Sequence, residues 1–271
     1  MKKNIGFIGC GNMAQAMITG TVTSKIVDGK NVFVSDRDEE KLKYIEEKFN
    51  VNTSKSNNEV AENSDIIILA VKPNKYGEVI KGIKDRVKEN VIIVVIGAGI
   101  TIDYVEENFG YELKVIRTMP NTPALVGEGM SAICYNKLIK EDDLKDVVEI
   151  FKSFGEVEII EENLMDVIPA VSGSSPAYVY MFIEALADGA VLDGVPRDKA
   201  YKLAAQSVLG SAKMILETGE HPGELKDRVC SPAGTTIEAV YSLEKNNFRG
   251  TVIEAMRKCT EKTREMSKKN K

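Results

Sequence analysis

The sequence predicts an α/β fold with two parts: a doubly wound Rossmann-type domain at residues 1–160, and an all-helical domain at residues 161–271. Three observations carry this prediction. A strand near the N-terminus passes through a glycine turn straight into a helix. Apolar runs typical of buried strands then alternate with helical segments as far as Ile160. Beyond the polar hinge Glu161-Glu162-Asn163 the strand patterns stop.

Composition narrows the class of protein. The chain has 271 residues, enough for two modest domains. A net charge of −5 and a pI of about 5.3 argue against binding to a nucleic-acid backbone. No apolar run is long enough to span a bilayer, and Met1-Lys2-Lys3 leads directly into the first strand, which leaves no room for a signal peptide. We therefore expect a cytoplasmic protein.

The four cysteines form no C-x-x-C pair, and with one histidine, His221, the sequence predicts no metal site. We expect reduced, mostly buried thiols at Cys10, Cys134, Cys230 and Cys259. Cys10 lies inside the glycine turn, but any residue of similar size fits there, so we do not assign it as a nucleophile. His221 stands beside a proline at a helix start and is interpreted as a loop residue.

The glycine turn has the spacing G-x-G-x-x-A of a dinucleotide-binding fingerprint. It follows the strand Ile5–Ile8 and opens a helix. The first glycine permits the tight turn, the second lets the backbone approach a pyrophosphate, and the helix N-terminus offers N–H groups to phosphates. We expect cofactor contacts from Gly9, Gly11, Asn12 and Met13. The alternative is a strand–helix turn without a ligand.

The residues that discriminate between cofactors are expected after the second strand, Asn31–Ser35. Asp36 and Arg37 follow it at the spacing where the fingerprint places a ribose contact. An acid there binds the 2′-hydroxyl of NAD, whereas an arginine holds the 2′-phosphate of NADP. This sequence has both, so NADP(H) and NAD(H) stay open. Arg37 as a solvated charge is the alternative.

The rest of the first domain continues the alternation of strands and helices. Further strands are predicted at Val51–Thr53, Asp65–Val71, Val91–Ile96, Lys114–Thr118, Met130–Tyr135 and Glu156–Ile160, and helices at Asp38–Phe49, Ser56–Asn63, Lys75–Lys88, Thr101–Phe109 and Glu141–Phe154. The unbroken run in Asp65–Val71 suits the centre of a parallel sheet. Ligands bind at the carboxyl ends of such strands, so Ala70, Val71, Lys72 and Pro73 are expected to border the cofactor. Lys72 as an ordinary exposed residue is equally open.

The C-terminal part is predicted to consist of the helices Asn163–Val171, Pro176–Leu192, Pro196–Glu217, Glu224–Val229, Gly234–Lys245 and Arg249–Ser267, followed by a basic tail, Lys268–Lys271. The helix Ala177–Leu192 is apolar nearly all round and must be buried on most sides. A segment of this size has little capacity to bury it alone. We therefore expect packing against a second subunit. Burial by its own neighbours and the first domain is the alternative.

A second informative stretch lies at Asp227–Ala239. Ser231, Gly234, Thr235 and Thr236 form a loop rich in hydroxyls that opens a helix. Such a loop binds a carboxylate by the same physics that binds phosphates. Plain helix capping explains the same residues equally well.

Cys230-Ser231-Pro232-Ala233-Gly234-Thr235-Thr236 closely resembles the signature of the pyrroline-5-carboxylate reductase family. The stretches Gly6–Ala14, Ala70–Pro73, Met119–Pro123 and Val171–Tyr178 resemble that family in the same order, so the resemblance covers essentially the whole chain. Two departures stand out. Ala233 replaces a glycine found in many members, and Asp36 precedes Arg37 where many have a neutral residue, which leaves the cofactor preference open.

The resemblance implies reduction of 1-pyrroline-5-carboxylate to L-proline with NADP(H) or NAD(H), the last step of proline biosynthesis. It also implies a helical domain that interlocks with a partner, hence a homodimer or a multiple of dimers. By position, Asn57 and Ala70–Pro73 would contact the ribose and diphosphate of the cofactor, and Pro120 and Asn121 would lie near the nicotinamide. Ser231, Gly234, Thr235 and Thr236 would hold the substrate, with Thr236 as the catalytic contact.

Two alternatives to this function remain. A hydroxyacid dehydrogenase of similar plan needs a catalytic lysine on the first long helix after the nucleotide domain, and the segment 163–196 contains no Lys, Arg or His. A cyclic imine arrives already protonated, so its reduction requires no strong general acid. A nucleotide-binding redox sensor without turnover would keep the glycine turn but would not need the hydroxyl loop.

Overall fold

A computed structural model describes residues 1–269, so the last two residues of the predicted basic tail lie outside the described part. The residues form two compact units: Met1–Ser174 with the described residues from Lys258 onward, and Ser175–Arg257. The first unit extends beyond residue 160, where the sequence places the domain boundary. The reason is packing, since Met165 and Ala170 after the last strand are buried.

Eight strands form one sheet in the order β3-β2-β1-β4-β5-β6-β7-β8. All neighbours are parallel except the antiparallel pair β6 and β7. The strands are β1 (Ile5–Ile8), β2 (Val32–Ser35), β3 (Asn52–Ser54), β4 (Ile66–Leu69), β5 (Ile92–Val95), β6 (Lys114–Met119), β7 (Gly129–Tyr135) and β8 (Gly155–Ile159). The strand order reverses between β1 and β4, which is where doubly wound sheets bind their ligands.

Helices flank the sheet and make up the second unit. They are α1 (Asn12–Thr23), α2 (Glu39–Phe49), α3 (Asn57–Asn63), α4 (Tyr76–Ile83), α5 (Ile102–Phe109), α6 (Glu141–Lys152), α7 (Ser175–Leu192), α8 (Arg197–Thr218), α9 (Pro222–Val229), α10 (Thr235–Lys245) and α11 (Phe248–Lys269). Thr101 caps α5 as predicted, its hydroxyl accepting from the Tyr104 N–H. No helix in residues 1–269 combines the length and apolar character that crossing a bilayer requires.

The core lies on both faces of the sheet, as an unbroken apolar strand pattern predicts. On β4, Ile66 and Ile68 join one buried cluster while Ile67 and Leu69 join the other. Tyr76 of α4 is fully buried, donates to the Leu69 carbonyl and accepts from the Ile96 N–H at 3.2 Å. It therefore ties together the carboxyl ends of β4 and β5.

Two predicted helices are wrong in extent. The helix predicted at Lys75–Lys88 begins at Tyr76 and ends at Ile83, and a turn that includes the partly buried Val87 leads from it towards β5. The helix predicted at Asn163–Val171 is replaced by a 3₁₀ turn at Glu162–Leu164 and a wide π turn at Pro169–Gly173. Pro169 has no N–H to continue an α-helical ladder. Its carbonyl instead accepts from the Ser174 N–H at 2.6 Å.

One buried hydroxyl has no hydrogen-bond partner in the part of the chain that the structure describes. Ser64 follows α3 and is fully buried, and its Oγ makes no hydrogen bond among the described residues. It lies against β1 so closely that a Cβ on Gly6 would be 2.3 Å from it. Gly6 is therefore required by close packing in the core.

The helix α7 is exposed to an unusual degree for its composition. Only Ala187 of its residues is buried, although α7 packs against α8. Met181 is 68% exposed and Leu192 is 88% exposed. Large apolar side chains on α8, α10 and α11 are exposed as well, including Leu203, Leu216, Tyr241 and Ile253. The helices that pack on α7 within the second unit thus leave most of its apolar surface exposed.

Candidate functional site

The glycine turn is shaped by the close approach of two strand ends. Gly9 has φ +102°, and a Cβ there would lie 2.5 Å from the Ala70 carbonyl oxygen, so only glycine fits. Gly11 precedes α1 in ordinary extended backbone, and a Cβ there would meet no atom within 4 Å. The protein itself thus has no steric need for glycine at position 11.

A cavity of about 620 Å³ opens beside this turn at the carboxyl ends of β1, β2 and β4. The pairing register aligns Ile8 with Ser35 on one side and with Leu69 on the other, so the residues that follow these strands share one edge. Eight of the predicted cofactor residues line the cavity: Gly9, Gly11, Asp36, Arg37, Asn57, Ala70, Val71 and Lys72.

Five predicted cofactor residues do not line this cavity: Asn12, Met13, Pro73, Pro120 and Asn121. The Asn121 side chain is 8% exposed and engaged at both ends, its Oδ1 accepting from the Met130 N–H at 2.8 Å and its Nδ2 donating to the Ser172 carbonyl at 3.0 Å. These bonds join β7 to the segment before α7. A structural role for this side chain was missed by the sequence analysis, because its partners are distant in the chain.

The cavity has a basic rim, with five Lys and Arg side chains against Asp36 and Glu78. Three of the cations are paired with carboxylates: Lys41 with Asp38, Lys55 with Glu39 and Lys75 with Glu78. Arg37 and Lys72 are exposed and make no side-chain hydrogen bond or ion pair among residues 1–269. Two uncommitted cations suit a ligand that carries phosphates.

Asp36 is committed to the backbone. Its Oδ2 accepts from the Cys10 N–H at 2.6 Å, and its Oδ1 accepts from the Asp38 N–H at 3.0 Å. The carboxylate thereby ties the glycine turn to the start of α2. The turn is further held by Gln15, whose side chain donates to the Cys10 carbonyl at 3.0 Å.

Cys10 and Cys134 are buried and unsuited to nucleophilic chemistry. Burial, together with the nearby Asp36 carboxylate, raises the pKa of the Cys10 thiol to about 11. Burial likewise raises the pKa of Cys134 to about 12. A thiolate is the reactive form, so neither residue is activated at neutral pH. In the described chain, no three His, Cys, Asp or Glu side chains group as metal ligands.

The hydroxyl loop of the second unit is a tight turn. The Gly234 N–H donates to the Ser231 carbonyl at 3.0 Å, and Ala233 takes φ +56°. Such a turn favours glycine at this position, and alanine there costs about 1–2 kcal/mol. A Cβ on Gly234 would lie 2.3 Å from the Ser231 Oγ, so that hydroxyl lies directly over the start of α10.

The helix α10 begins at Thr235 with Gly234 as its N-cap and no side-chain cap. The hydroxyls of Ser231, Thr235 and Thr236 make no hydrogen bond among the described residues. The capping alternative is therefore wrong in this structure. His221, in contrast, does cap a helix: its Nδ1 accepts from the Gly223 N–H at 3.1 Å at the start of α9.

Comparison with known proteins gives two family matches. Residues 162–266 match a profile described as "Pyrroline-5-carboxylate reductase dimerisation", and residues 4–99 match one described as "NADP oxidoreductase coenzyme F420-dependent". The pyrroline-5-carboxylate reductase of Escherichia coli is 51% identical over 268 residues, covering 99% of this chain and 100% of the relative. The chain belongs to the pyrroline-5-carboxylate reductase family.

Solved structures in this family have the same fold. Plasmodium falciparum pyrroline carboxylate reductase with NADP bound superposes with a TM-score of 0.89 at 37% identity, covering 98% of both chains. The pyrroline-5-carboxylate reductase of Coxiella burnetii gives a TM-score of 0.92 at 33% identity, covering 98% of this chain and 99% of that one. The predicted fold class is confirmed, including a C-terminal dimerisation domain.

Replacing Arg37 with alanine tests its predicted contact with a 2′-phosphate. Loss of a charge-assisted hydrogen bond should lower kcat/KM for NADPH about 10-fold and leave NADH unchanged. Lys72→Ala is the contrasting variant, because a cation beside the shared diphosphate should affect both cofactors alike. Steady-state kinetics with both cofactors decides. If the ratio of kcat/KM for NADPH to kcat/KM for NADH is unchanged in Arg37→Ala, then Arg37 is only a solvated charge and does not contact the 2′-phosphate.

Proposed function

We propose that this protein reduces 1-pyrroline-5-carboxylate to L-proline by hydride transfer from NAD(P)H, the last step of proline biosynthesis. The observation that carries the proposal is the end-to-end similarity to named pyrroline-5-carboxylate reductases, which spans both the glycine turn and the hydroxyl loop. The enzyme is an NAD(P)H-dependent oxidoreductase. No match favours the sensor or the hydroxyacid dehydrogenase.

The residues of the first unit fit a dinucleotide. The bare backbone at Gly11 suits a diphosphate, and Arg37 with Lys72 offers uncommitted positive charge. Both carboxylate oxygens of Asp36 accept hydrogen bonds from backbone N–H groups, which offsets the repulsion between this carboxylate and a 2′-phosphate. These features support NADP(H) as the preferred cofactor, with NAD(H) also accepted. Bound NAD(P)H supplies the hydride.

The hydroxyl loop is proposed to hold the substrate. Ser231 and the N–H groups at Gly234 and Thr235 would bind its carboxylate, since a helix N-terminus is electropositive. Thr236 is half-buried on the first turn of α10, and its hydroxyl would contact the ring nitrogen. The side chain of a threonine is stiff at χ1, so the hydroxyl is well placed to orient the ring. A protonated imine needs no further acid.

Turnover is the direct test of this function. Adding 1-pyrroline-5-carboxylate to the protein with NADPH should cause a fall in absorbance of the reduced cofactor together with formation of L-proline. A protein that binds NADPH but never consumes it would support the redox sensor instead. Consumption with a 2-ketoacid and none with the imine would support the hydroxyacid dehydrogenase.

The assembly is proposed to be a homodimer or a multiple of dimers, located in the cytoplasm. The exposed apolar side chains of α7, with those of α8, α10 and α11, support a second copy as the partner. Matching of residues 162–266 to the dimerisation profile points the same way. Light scattering at micromolar concentration should give at least twice the mass of the chain. A stable, active monomer would overturn this proposal.

Substitution of Thr236 by valine keeps the shape and removes the hydroxyl. If the contact matters mostly in the transition state, kcat should fall about 10- to 100-fold, less than for an oxyanion-hole donor because little new charge develops. Affinity for NADPH should stay unchanged.

The matched variant is Ser231→Ala. It should raise KM more than it lowers kcat, because a carboxylate is bound alike in ground and transition states. Wild-type kinetics for a folded Thr236→Val would leave that hydroxyl without a catalytic role.

A further inference from the structure

A hydrogen bond beneath the cavity joins two residues that are far apart in the sequence. Ser35 ends β2 and is fully buried, and its Oγ donates to the Oδ1 of Asn57 at 2.8 Å. Asn57 is half-buried at the first position of α3. Both residues line the cavity. The serine backbone is fixed independently, because its carbonyl accepts from the Gly9 N–H at 2.8 Å.

This bond decides which end of the Asn57 amide is available to a ligand. An amide group has an oxygen that accepts and an amino group that donates two hydrogen bonds. The oxygen of Asn57 is occupied by Ser35, while its amino group makes no hydrogen bond among residues 1–269. The free end of the side chain therefore consists of donors. Ribose and phosphate oxygens are acceptors, so the two are chemically matched.

We propose that Ser35 is a positioning residue for the cofactor: its buried hydroxyl fixes the Asn57 amide so that N–H donors face the dinucleotide. Without the serine hydroxyl, the amide can rotate by half a turn and present its oxygen to the ligand oxygens. The proposal deepens the cofactor site assigned under the proposed function and rests on it. Ser35 itself need not touch the cofactor.

The effect of Ser35→Ala should be a loss of cofactor affinity without a change in chemistry. The Kd of NADPH, measured by fluorescence of the reduced cofactor, should rise about 3- to 10-fold, as expected for one hydrogen bond. The Kd of NADH should rise by the same factor if the amide faces the shared ribose and diphosphate. The value of kcat at saturating cofactor should stay within about twofold of wild type.

A double-mutant cycle separates positioning from a general structural effect. If Ser35 acts through Asn57, then Ser35→Ala should have no further effect on Kd in the Asn57→Ala background. Independent effects that multiply in the double variant would overturn the proposal. Thermal unfolding of each variant shows whether it is folded at the temperature of the titration.

Ser64→Ala is the matched control. Ser64 is also a fully buried serine beside the sheet, but its hydroxyl makes no hydrogen bond within residues 1–269. Its loss should leave the Kd of NADPH unchanged, and an equal loss of affinity in both variants would contradict a specific role for Ser35. Because binding is measured without substrate, a protein that binds NADPH but fails to reduce the imine would refute the proposed function and leave this inference standing.

Discussion

The contact between Gly9 and the Ala70 carbonyl is the constraint on which the cofactor site depends. Parallel strands β1 and β4 are buried on both faces, so their ends meet at a fixed separation. The chain can leave β1 there only with positive φ and no side chain. Gly9 shapes the turn, whereas Gly11 leaves the backbone uncovered for a ligand.

Hydrogen bonds from three side chains then stabilise the glycine turn and the neighbouring strand ends. Asp36 fastens the turn to the start of α2, Tyr76 fastens β4 to β5, and Ser35 fastens the Asn57 amide. Each of these side chains uses its polar atoms on the protein. The cations that remain uncommitted, Arg37 and Lys72, stand at the rim. The residues around the cavity thus fall into two groups: those whose polar atoms stabilise the protein, and those whose charges are available to a ligand.

Sequence reasoning found the sheet, its glycine turn and half of the residues that line the cavity, because these follow from local patterns. Strand periodicity and glycine spacing are properties of neighbouring residues. It did not find that Asp36 accepts from the Cys10 N–H or that Asn121 donates to the Ser172 carbonyl, because these partners are brought together only by tertiary packing. It also overextended the helix after Lys75 and missed the π turn at Pro169, where competition between helix and turn is decided by what the segment packs on.

The second unit illustrates a different limit. Apolar composition predicted that α7 needs a partner, and its exposure in the single chain agrees. The strain at Ala233 was visible in the sequence only as a departure from the family pattern. Its positive φ gives the physical reason why glycine suits this position better than alanine. Despite this strain, the loop places three hydroxyls at the start of α10, those of Ser231, Thr235 and Thr236, which make no hydrogen bond among the described residues.

The central claim is that the open backbone at Gly11 receives a dinucleotide, and Gly11→Ala tests it most directly. Its φ of −74° tolerates alanine and the added methyl meets no protein atom, so the unfolding midpoint should not fall. The Kd of NADPH should rise at least about 10-fold, the cost of forcing a methyl into a close contact. Gly82→Ala on α4, where a Cβ also meets nothing, is the control and should bind normally. Wild-type NADPH affinity in Gly11→Ala would contradict the account.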